Sequence, residues 1–249
     1  SPNSACNWRC AYCQVPGLTR GKSPRIDLER LERELLDVLG RGARGELVAD
    51  TNGGAGEGAT MRDVAFSGNG EPTTSPDFPG AVERVGQVLA RTNLALPVIL
   101  ITNGSMLGKE QVRAAVRRLG DLGGRVWFKL DRATAAGMLE VNGTRVVPAR
   151  HRERLRVASS LCPTWVQSCF FTRRGEPPPA DEVDAYVTAL GELVREGAPL
   201  RGVLLYTLAR RSEQPEGDTL GALDAMWLEA LAARLREVGI PDVSVSLRA

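Results

Sequence analysis

The stretch 98–119, VILITNGSMLGKEQVRAAVRRL, indicates the fold because it joins two elements of different periodicity. An apolar run of strand length, 98–102, precedes the turn residues Asn103 and Gly104, and an amphipathic segment of helical length follows. A strand that leads into a helix is half of a βαβ unit, whose strands lie parallel. We therefore expect an α/β protein.

The same alternation continues along the chain. The other apolar runs of strand length are 64–67, 125–130, 164–171 and 201–207, and helical segments are expected near 27–41, 79–91, 109–119, 149–160, 181–196 and 219–238. Together with a strand that we expect before Ser1, they predict a partial (β/α)6 barrel of parallel strands in a single domain, 1–249. The glycine-rich segment 50–60 precedes a strand, not a helix, so we expect a surface loop.

Composition narrows the class of protein. A chain of 249 residues that is 43% hydrophobic can bury a substantial core. The chain has 32 Lys and Arg and 30 Asp and Glu, so its net charge gives no reason to expect a nucleic acid or a membrane as a partner. No apolar run approaches the roughly 18 residues that span a bilayer, and no signal peptide is visible. We expect a cytoplasmic protein without a membrane partner.

Three of the five cysteines fall within the eight residues 6–13, CNWRCAYC. This spacing suits a loop around a metal centre better than a disulfide framework. Because an iron–sulfur cube usually takes four thiolates, three would leave one iron open to another ligand. We therefore expect Cys6, Cys10 and Cys13 to bind a 4Fe–4S cluster.

Two other metal sites remain open as alternatives. A zinc site would borrow Cys162, Cys169 or His151 as its fourth ligand, although no second pair at zinc spacing exists. An electron-carrying ferredoxin would need a fourth cysteine nearby. The sole histidine offers no catalytic triad, so hydrolase chemistry has no support.

Two polar motifs follow predicted strands. In GNGEPT, residues 68–73, the glycines permit close approach to a ligand and Glu71 can accept hydrogen bonds from an ammonium group. Thr102, Asn103 and Gly104 end the next strand, where α/β barrels place their sites. Each motif alone is also typical of a simple turn.

These motifs together resemble the radical S-adenosylmethionine (SAM) superfamily. CNWRCAYC is similar to its CxxxCxxC signature, with Tyr12 at the aromatic position, and GNGEPT to its GGE motif, whose Glu binds the SAM amine. The resemblance implies that SAM chelates the open iron and that an electron from the cluster cleaves it to a 5′-deoxyadenosyl radical, which abstracts hydrogen from substrate. The cofactor-binding residues predicted from motif and strand position are Tyr12, Gly68, Asn69, Gly70, Glu71, Thr102, Asn103, Asp131, Gln167 and Tyr206.

Charged residues end the later strands. By alternation we expect Lys129 and Asp131 on opposite faces, with one facing the barrel. Lys129 is predicted to bind a substrate anion or SAM, and Asp131 to contact a ribose hydroxyl or to cap the next helix. Four arginines, Arg173, Arg174, Arg210 and Arg211, are candidates for an anionic substrate, with solvated surface positions as the alternative.

One further cysteine is a candidate for radical chemistry. Cys169 lies two residues from Gln167, so both are expected on one face of a strand. An inward thiol can donate hydrogen or hold substrate, whereas most isolated cysteines are small buried hydrophobes.

Segments CAYCQV, FSGNGEPT, ITNGS, FKLD, TWVQSCF and LLYTLARRSEQP are similar to the branch of wyosine and wybutosine tRNA-modifying synthases and their uncharacterised bacterial relatives. The second cluster's extra cysteines, which wybutosine synthases carry, are not visible. The resemblance implies an anionic substrate, such as RNA, a nucleotide or a peptide, and a reductant such as flavodoxin or ferredoxin. A glycyl-radical-enzyme activase and a non-catalytic zinc- or cluster-stabilised binding module are the alternatives.

Overall fold

A computed structural model describes residues 4–47, 60–67 and 69–247. The described strands are β1 (Ala5–Cys6), β2 (Thr19–Arg20), β3 (Val64–Phe66), β4 (Val98–Thr102), β5 (Arg125–Lys129), β6 (Thr164–Cys169), β7 (Phe171–Arg173), β8 (Leu200–Tyr206), β9 (Leu220–Ala222) and β10 (Val243–Ser246). The described α-helices are α1 (Leu28–Ala43), α2 (Phe78–Thr92), α3 (Glu110–Asp121), α4 (Ala135–Asn142), α5 (Pro148–Leu161), α6 (Ala180–Arg195) and α7 (Ala225–Glu237).

Six of the strands form one parallel sheet in the order β10-β8-β6-β5-β4-β3. Neighbouring strands are linked through helices, as parallel pairs require. In the part of the chain that the structure describes, the edge strands β3 and β10 do not pair with each other. The sheet therefore forms the open, partial (β/α)6 barrel that the sequence predicts.

The 98–119 unit shows why the sequence folds this way. Four of the five side chains of β4 are buried, which matches a central strand covered on both faces. In α3, the buried Val112, Ala115, Val116 and Leu119 recur at spacings of three and four, so that one stripe faces the sheet. These side chains join one large apolar core with Leu100 and Phe128.

Several elements differ from the prediction. The sixth strand of the sheet is β10, at the carboxyl end of the chain. The strand predicted over 164–171 is interrupted at Phe170, and β7 beyond it pairs antiparallel with β9 in a separate small sheet. Strand β9 therefore occupies the beginning of the segment predicted as the helix 219–238. The observed helix, α7, begins at Ala225, and the side chain of Asp224 caps it.

Helix α4 has no counterpart among the predicted helices. Its sequence, AAGMLEVN, is short and almost uniformly apolar, so it lacks the two-sided pattern that marks a surface helix. Local signals nevertheless define both of its ends. The Thr134 side chain accepts a hydrogen bond from the Gly137 backbone N–H, and Gly143 ends the helix in the left-handed conformation at φ 59°.

Some expectations concern other parts of the chain. Residues 48–59, which make up most of the predicted glycine-rich loop, and Gly68 lie outside the described residues. The strand expected before Ser1 and the single-domain organisation stay predictions. No helix within the described ranges is long and apolar enough to cross a bilayer.

Candidate functional site

A cavity of about 470 Å³ opens at the carboxyl ends of the sheet strands. Its walls include residues that follow or end β3, β4, β5, β6 and β8, together with the loop that carries the first three cysteines. Parallel strands bring their carboxyl ends to one edge, so residues far apart in sequence meet there. Predicted site residues that line the cavity are Cys6, Cys10, Tyr12, Cys13, Asn69, Gly70, Glu71, Thr102, Asn103, Lys129, Cys169, Tyr206 and Arg210.

Residues 6–13, which carry the three cysteines and are called the cysteine loop below, are held in place by helix α4. The backbone N–H groups of Arg9 and Ala11 donate to the carbonyls of Asn142 and Val141 at 3.1 and 2.8 Å. These carbonyls belong to the last turn of α4, where helix carbonyls lack partners within the helix. Cys10, which lies between the two donors, is therefore fixed from both sides.

A second anchor holds the carboxyl side of the loop. The Ser212 hydroxyl donates to the Ala11 carbonyl at 2.7 Å, and the Glu213 backbone N–H donates to the Cys13 carbonyl at 3.0 Å. Ser212 is buried. A segment about two hundred residues away thus fixes the position of Cys13.

The three thiols of the loop share one cavity. All three line the same cavity, yet no three His, Cys, Asp or Glu side chains within the described ranges converge to hold a single ion. A tetrahedral zinc would draw sulfurs together at about 2.3 Å from the metal, whereas a cube binds each thiolate at a different iron. Thiolates are the usual ligands of iron–sulfur clusters, so the three side chains have the donor chemistry that such a cluster needs.

Hydrogen-bond donors also reach these sulfurs. The Trp8 backbone N–H donates to Cys6 Sγ and the Asn142 amide to Cys10 Sγ, both at 3.4 Å. Burial raises the pKa of Cys6 to about 11 and that of Cys10 to about 12. In the protein alone these thiols hold their protons at neutral pH, so any metal bound by them would have to displace these protons.

Glu71 is the central carboxylate of the wall. It is 3% exposed, and its Oε1 accepts hydrogen bonds from the hydroxyls of Thr73 and Thr102, the latter at 2.6 Å. Its Oε2 accepts from the backbone N–H of Asn103 at 2.7 Å. Burial raises the pKa of Glu71, and these hydrogen bonds oppose that rise.

Gly70 lets the GNGEPT segment contact the cysteine loop. It has φ 129°, and a Cβ at this position would lie 2.0 Å from the Ala5 carbonyl oxygen. The Glu71 backbone N–H donates to the same oxygen at 3.3 Å. A glycine is therefore required both by the backbone conformation and by the contact.

The Asn103 side chain faces the cysteine loop. Its Nδ2 donates to Asn7 Oδ1 at 2.9 Å and lies 4.0 Å from Cys6 Sγ. Its Oδ1 accepts from the Ser105 backbone N–H at 2.9 Å. Asn103 thus links the end of β4 to the first cysteine, and the TNG turn is part of the cavity wall.

Lys129 lines the cavity. Its Nζ donates to Tyr206 Oη at 2.9 Å and lies 5.0 Å from the centre of the Tyr12 ring. Burial lowers the pKa of Lys129, but Tyr206, Asp131 and Cys10 raise it by more, so the pKa lies above its ordinary value. The side chain is held as an ammonium between two aromatic rings.

Asp131 lies behind the cavity wall. Like Lys129, it contacts Tyr12. Its Oδ2 accepts from the Tyr12 hydroxyl at 2.7 Å, and its Oδ1 accepts from the Cys169 backbone N–H at 2.7 Å. Lys129 and Asp131 therefore lie on the same side, contrary to the expectation, because residues two apart share a face of extended chain. The next helix is capped by Thr134 instead of Asp131, and the Asp131 carboxylate is fully engaged within the protein.

Cys169 and Gln167 differ in position. Cys169 is completely buried against the cavity, and burial raises its pKa. Gln167 is half-buried and is not among the lining residues, and its Oε1 has no hydrogen-bond partner within the part of the chain that the structure describes. Both residues belong to β6, where residues two apart share a face, but Cys169 lines the cavity and Gln167, predicted to bind the cofactor, does not.

The four arginines do not form a common group. Arg210 lines the cavity, whereas Arg173 pairs with Glu140 at 3.3 Å and Arg211 pairs with Asp218 at the surface. Arg174 is exposed at a left-handed turn, with φ 54°. Arg173, Arg174 and Arg211 therefore occupy surface positions, which was the alternative to binding an anionic substrate.

Several residues that support the site are not among the predicted site residues. Asn142 and Ser212 contact the cysteine loop, and His151 packs between Trp8 of that loop and Phe128, with tilted rings whose centres lie at 5.2 and 4.9 Å. His151 Nε2 donates to the Lys129 carbonyl at 2.9 Å. An isolated polar residue beside a helix gives no signal in the sequence, so only its buried position in three dimensions could reveal it.

Comparison with known proteins supports the fold. No family model matches the sequence. The chain is 24% identical over 113 residues to the GTPase Obg of Brachyspira hyodysenteriae (strain ATCC 49526 / WA1), a match that covers 45% of this chain and 14% of that protein. This partial match does not assign the chain to a family.

Two solved structures resemble the whole chain. TYW1, in a structure with a lysine-pyruvate adduct bound, is 16% identical with a TM-score of 0.59, over 93% of this chain and 70% of that one. A radical SAM methyltransferase from Sphaerobacter thermophilus is 15% identical with a TM-score of 0.59, over 98% of this chain and 64% of that one. The chain thus spans less than two thirds of the methyltransferase. At these identities the likeness shows a shared fold.

Proposed function

We propose that this chain is a radical SAM enzyme in which Cys6, Cys10 and Cys13 hold a 4Fe–4S cluster. Such a cluster, when bound and reduced, supplies the electron that cleaves SAM to methionine and a 5′-deoxyadenosyl radical. The observation that carries the proposal is the convergence of these three thiols with Glu71 and Asn103 on one cavity of a fold shared with a radical SAM methyltransferase.

The chain's own residues would bind and orient SAM. Glu71 Oε2 accepts one described hydrogen bond, so it keeps an acceptor site for the SAM ammonium group. Asn103 and Asn69 offer polar side chains along the same wall. The Tyr12 ring also lines the cavity and packs beside Cys10.

Lys129 supports an anionic partner. Its ammonium lines the cavity, and its described hydrogen bond goes to a phenol oxygen rather than to a carboxylate. A buried cation is most favourable beside an opposite charge, so a carboxylate or phosphate of SAM or of substrate fits this position. Arg210 at the rim adds a second cation.

Cys169 is a candidate to take part in the radical step. It lies completely buried on the cavity wall, close to the Tyr12 ring. A thiol in that place can return a hydrogen atom to a substrate radical, and the thiyl radical that remains would then take an electron from the proposed electron donor and a proton. Its raised pKa keeps the S–H intact at neutral pH, which hydrogen-atom transfer requires.

The substrate class that we propose is an anionic RNA, nucleotide or peptide. Similarity to the wyosine-type branch and the shared fold with TYW1 favour this choice. The lysine-pyruvate adduct in the TYW1 structure suggests a second candidate, in which Lys129 attacks a carbonyl compound. The raised pKa of Lys129 opposes it, because an ammonium is not a nucleophile.

The proposal includes a cytoplasmic location and an electron donor such as flavodoxin or ferredoxin. A glycyl-radical-enzyme activase is a variant in which the substrate is a protein. A zinc-stabilised binding module is the non-catalytic alternative. Its fourth ligand would not be Cys162, which lies before the amino end of β6, at the opposite edge of the sheet from the cavity.

Spectroscopy of anaerobically reconstituted protein tests the proposal. We expect a broad visible absorption band and about four iron and four sulfide per chain. Replacing Cys162 with Ala should leave both unchanged. A colourless protein that binds one zinc per chain would contradict the proposal.

A further inference from the structure

Asn142 is a buried amide next to Cys10. It is the last residue of α4, it is 1% exposed, and 132 residues separate it from Cys10. Its Nδ2 lies 2.6 Å from Asp131 Oδ2 and 3.4 Å from Cys10 Sγ. The Asp131 carboxylate is an acceptor, as is the Cys10 sulfur once it is a thiolate, so the group between them is the NH₂ that donates to each.

The surroundings hold the amide nitrogen, whereas the amide oxygen Oδ1 is buried without a hydrogen-bond partner among the described residues. Asp131 receives further hydrogen bonds from Tyr12 and from the Cys169 backbone, so its carboxylate cannot turn away. The backbone carbonyl of Asn142 itself accepts from Arg9 at 3.1 Å. One side-chain N–H is thereby occupied by Asp131, and the other is held toward the sulfur.

Gly143 makes this close approach possible. A Cβ at Gly143 would lie 2.6 Å from the Arg9 carbonyl oxygen, and its φ of 59° also favours glycine. The end of α4 and the cysteine loop therefore meet backbone to backbone. The contact between Asn142 and Cys10 is a built feature of the fold.

We propose that Asn142 raises the reduction potential of the cluster by donating an N–H···S hydrogen bond to Cys10. The inference rests on the proposed function. Reduction adds negative charge to the cluster and its sulfur ligands, so a donor to a ligand sulfur stabilises the reduced state more than the oxidised state. Asn142 is a positioning residue, because it acts through Cys10.

Redox titration followed by electron paramagnetic resonance tests this role without substrate. The variants are Asn142→Leu, which has a similar volume but no donor, and Asn142→Ala. We expect both to keep full iron content and to shift the midpoint potential to more negative values. A tenfold fall in the equilibrium constant for reduction corresponds to about 59 mV for one electron.

A matched control comes from the other end of the same helix. Thr134→Val removes the cap of α4 and leaves the donor to Cys10 in place, so its potential should equal that of the unmodified protein. An unchanged potential in both Asn142 variants would overturn the inference. So would loss of the cluster from both, which would make Asn142 a residue of cluster retention. If the unmodified protein itself binds no cluster, the proposed function fails, which is a distinguishable result.

Discussion

The Glu71 carboxylate accepts a hydrogen bond from the Asn103 backbone N–H at 2.7 Å, so the residues that follow two neighbouring strands are tied together at the cavity wall. Thr102 donates to the same carboxylate at 2.6 Å. The GNGEPT and TNG motifs therefore form one structural unit. A change at Glu71 is expected to affect ligand binding and the shape of the wall together.

Replacing Glu71 with Gln tests its role in SAM binding. The neutral amide removes the charged acceptor, so SAM affinity should fall by about 1.5–3 kcal/mol, roughly tenfold or more, while the cluster is retained. Equilibrium binding of SAM to reconstituted protein measures this. Glu83→Gln, at an exposed pair with Arg118, is the control. An unchanged affinity would leave Glu71 with a structural role in its turn.

Gly70→Ala tests the contact between the GNGEPT segment and the cysteine loop. The new Cβ would lie 2.0 Å from the Ala5 carbonyl oxygen, so the two segments must separate. We expect a loss of several kcal/mol in the free energy of unfolding, because strain and a backbone clash add. Urea unfolding of the metal-free protein is the measurement.

Gly175→Ala provides the comparison for backbone strain alone. Gly175 has φ 85°, but among the described residues no atom beyond its chain neighbours lies within 4 Å of the position that a Cβ would take. Its loss should be about 1 kcal/mol. Equal losses in the two variants would show that the contact with Ala5 contributes nothing.

Stability should depend on pH through His151, the sole histidine of the chain. Burial lowers its pKa from 6.5 to about 4. Between these values the unfolded chain binds the extra proton, so stability is present above pH 6.5 and is lost as the pH falls toward 4. From about pH 7 to about pH 5.5 the loss is about 1 kcal/mol.

Urea unfolding at the two pH values measures this loss. His151→Gln keeps a side-chain amide near the Lys129 carbonyl but does not titrate, so its stability should change less over the same interval. The same pH dependence in both proteins would assign the effect to other groups.

Much of the fold follows from local sequence. The strand predicted over 98–102 is β4 itself, and the helix predicted near 109–119 is α3, because each has a clear period and turn residues between them. Helix α4 gives no such signal, because an almost uniformly apolar segment of eight residues has no contrast between faces. The signal for β10 is weak, because it comes from only four residues with alternate burial.

The residues of the site likewise fall into those that the sequence predicts and those that it does not. Cys6, Cys10, Cys13, Glu71 and Asn103 belong to short motifs at strand ends or in the first loop, and the structure brings them to one cavity. Asn142 and Ser212 could not be found, because their function depends on contacts across more than one hundred residues. The prediction that four arginines bind an anionic substrate does not match the structure, because two of them form ion pairs with acidic residues that no motif indicates.

The most direct measurement is the formation of 5′-deoxyadenosine by the reconstituted, reduced protein in the presence of SAM. We expect the unmodified protein and Cys162→Ala to form it, because the Cys162 thiol donates to the Gly124 carbonyl at 3.4 Å, away from the cavity. Cys10→Ala should form none. No product from unmodified protein that carries a complete cluster, even with a strong reductant, or equal product from Cys10→Ala, would contradict the proposed function.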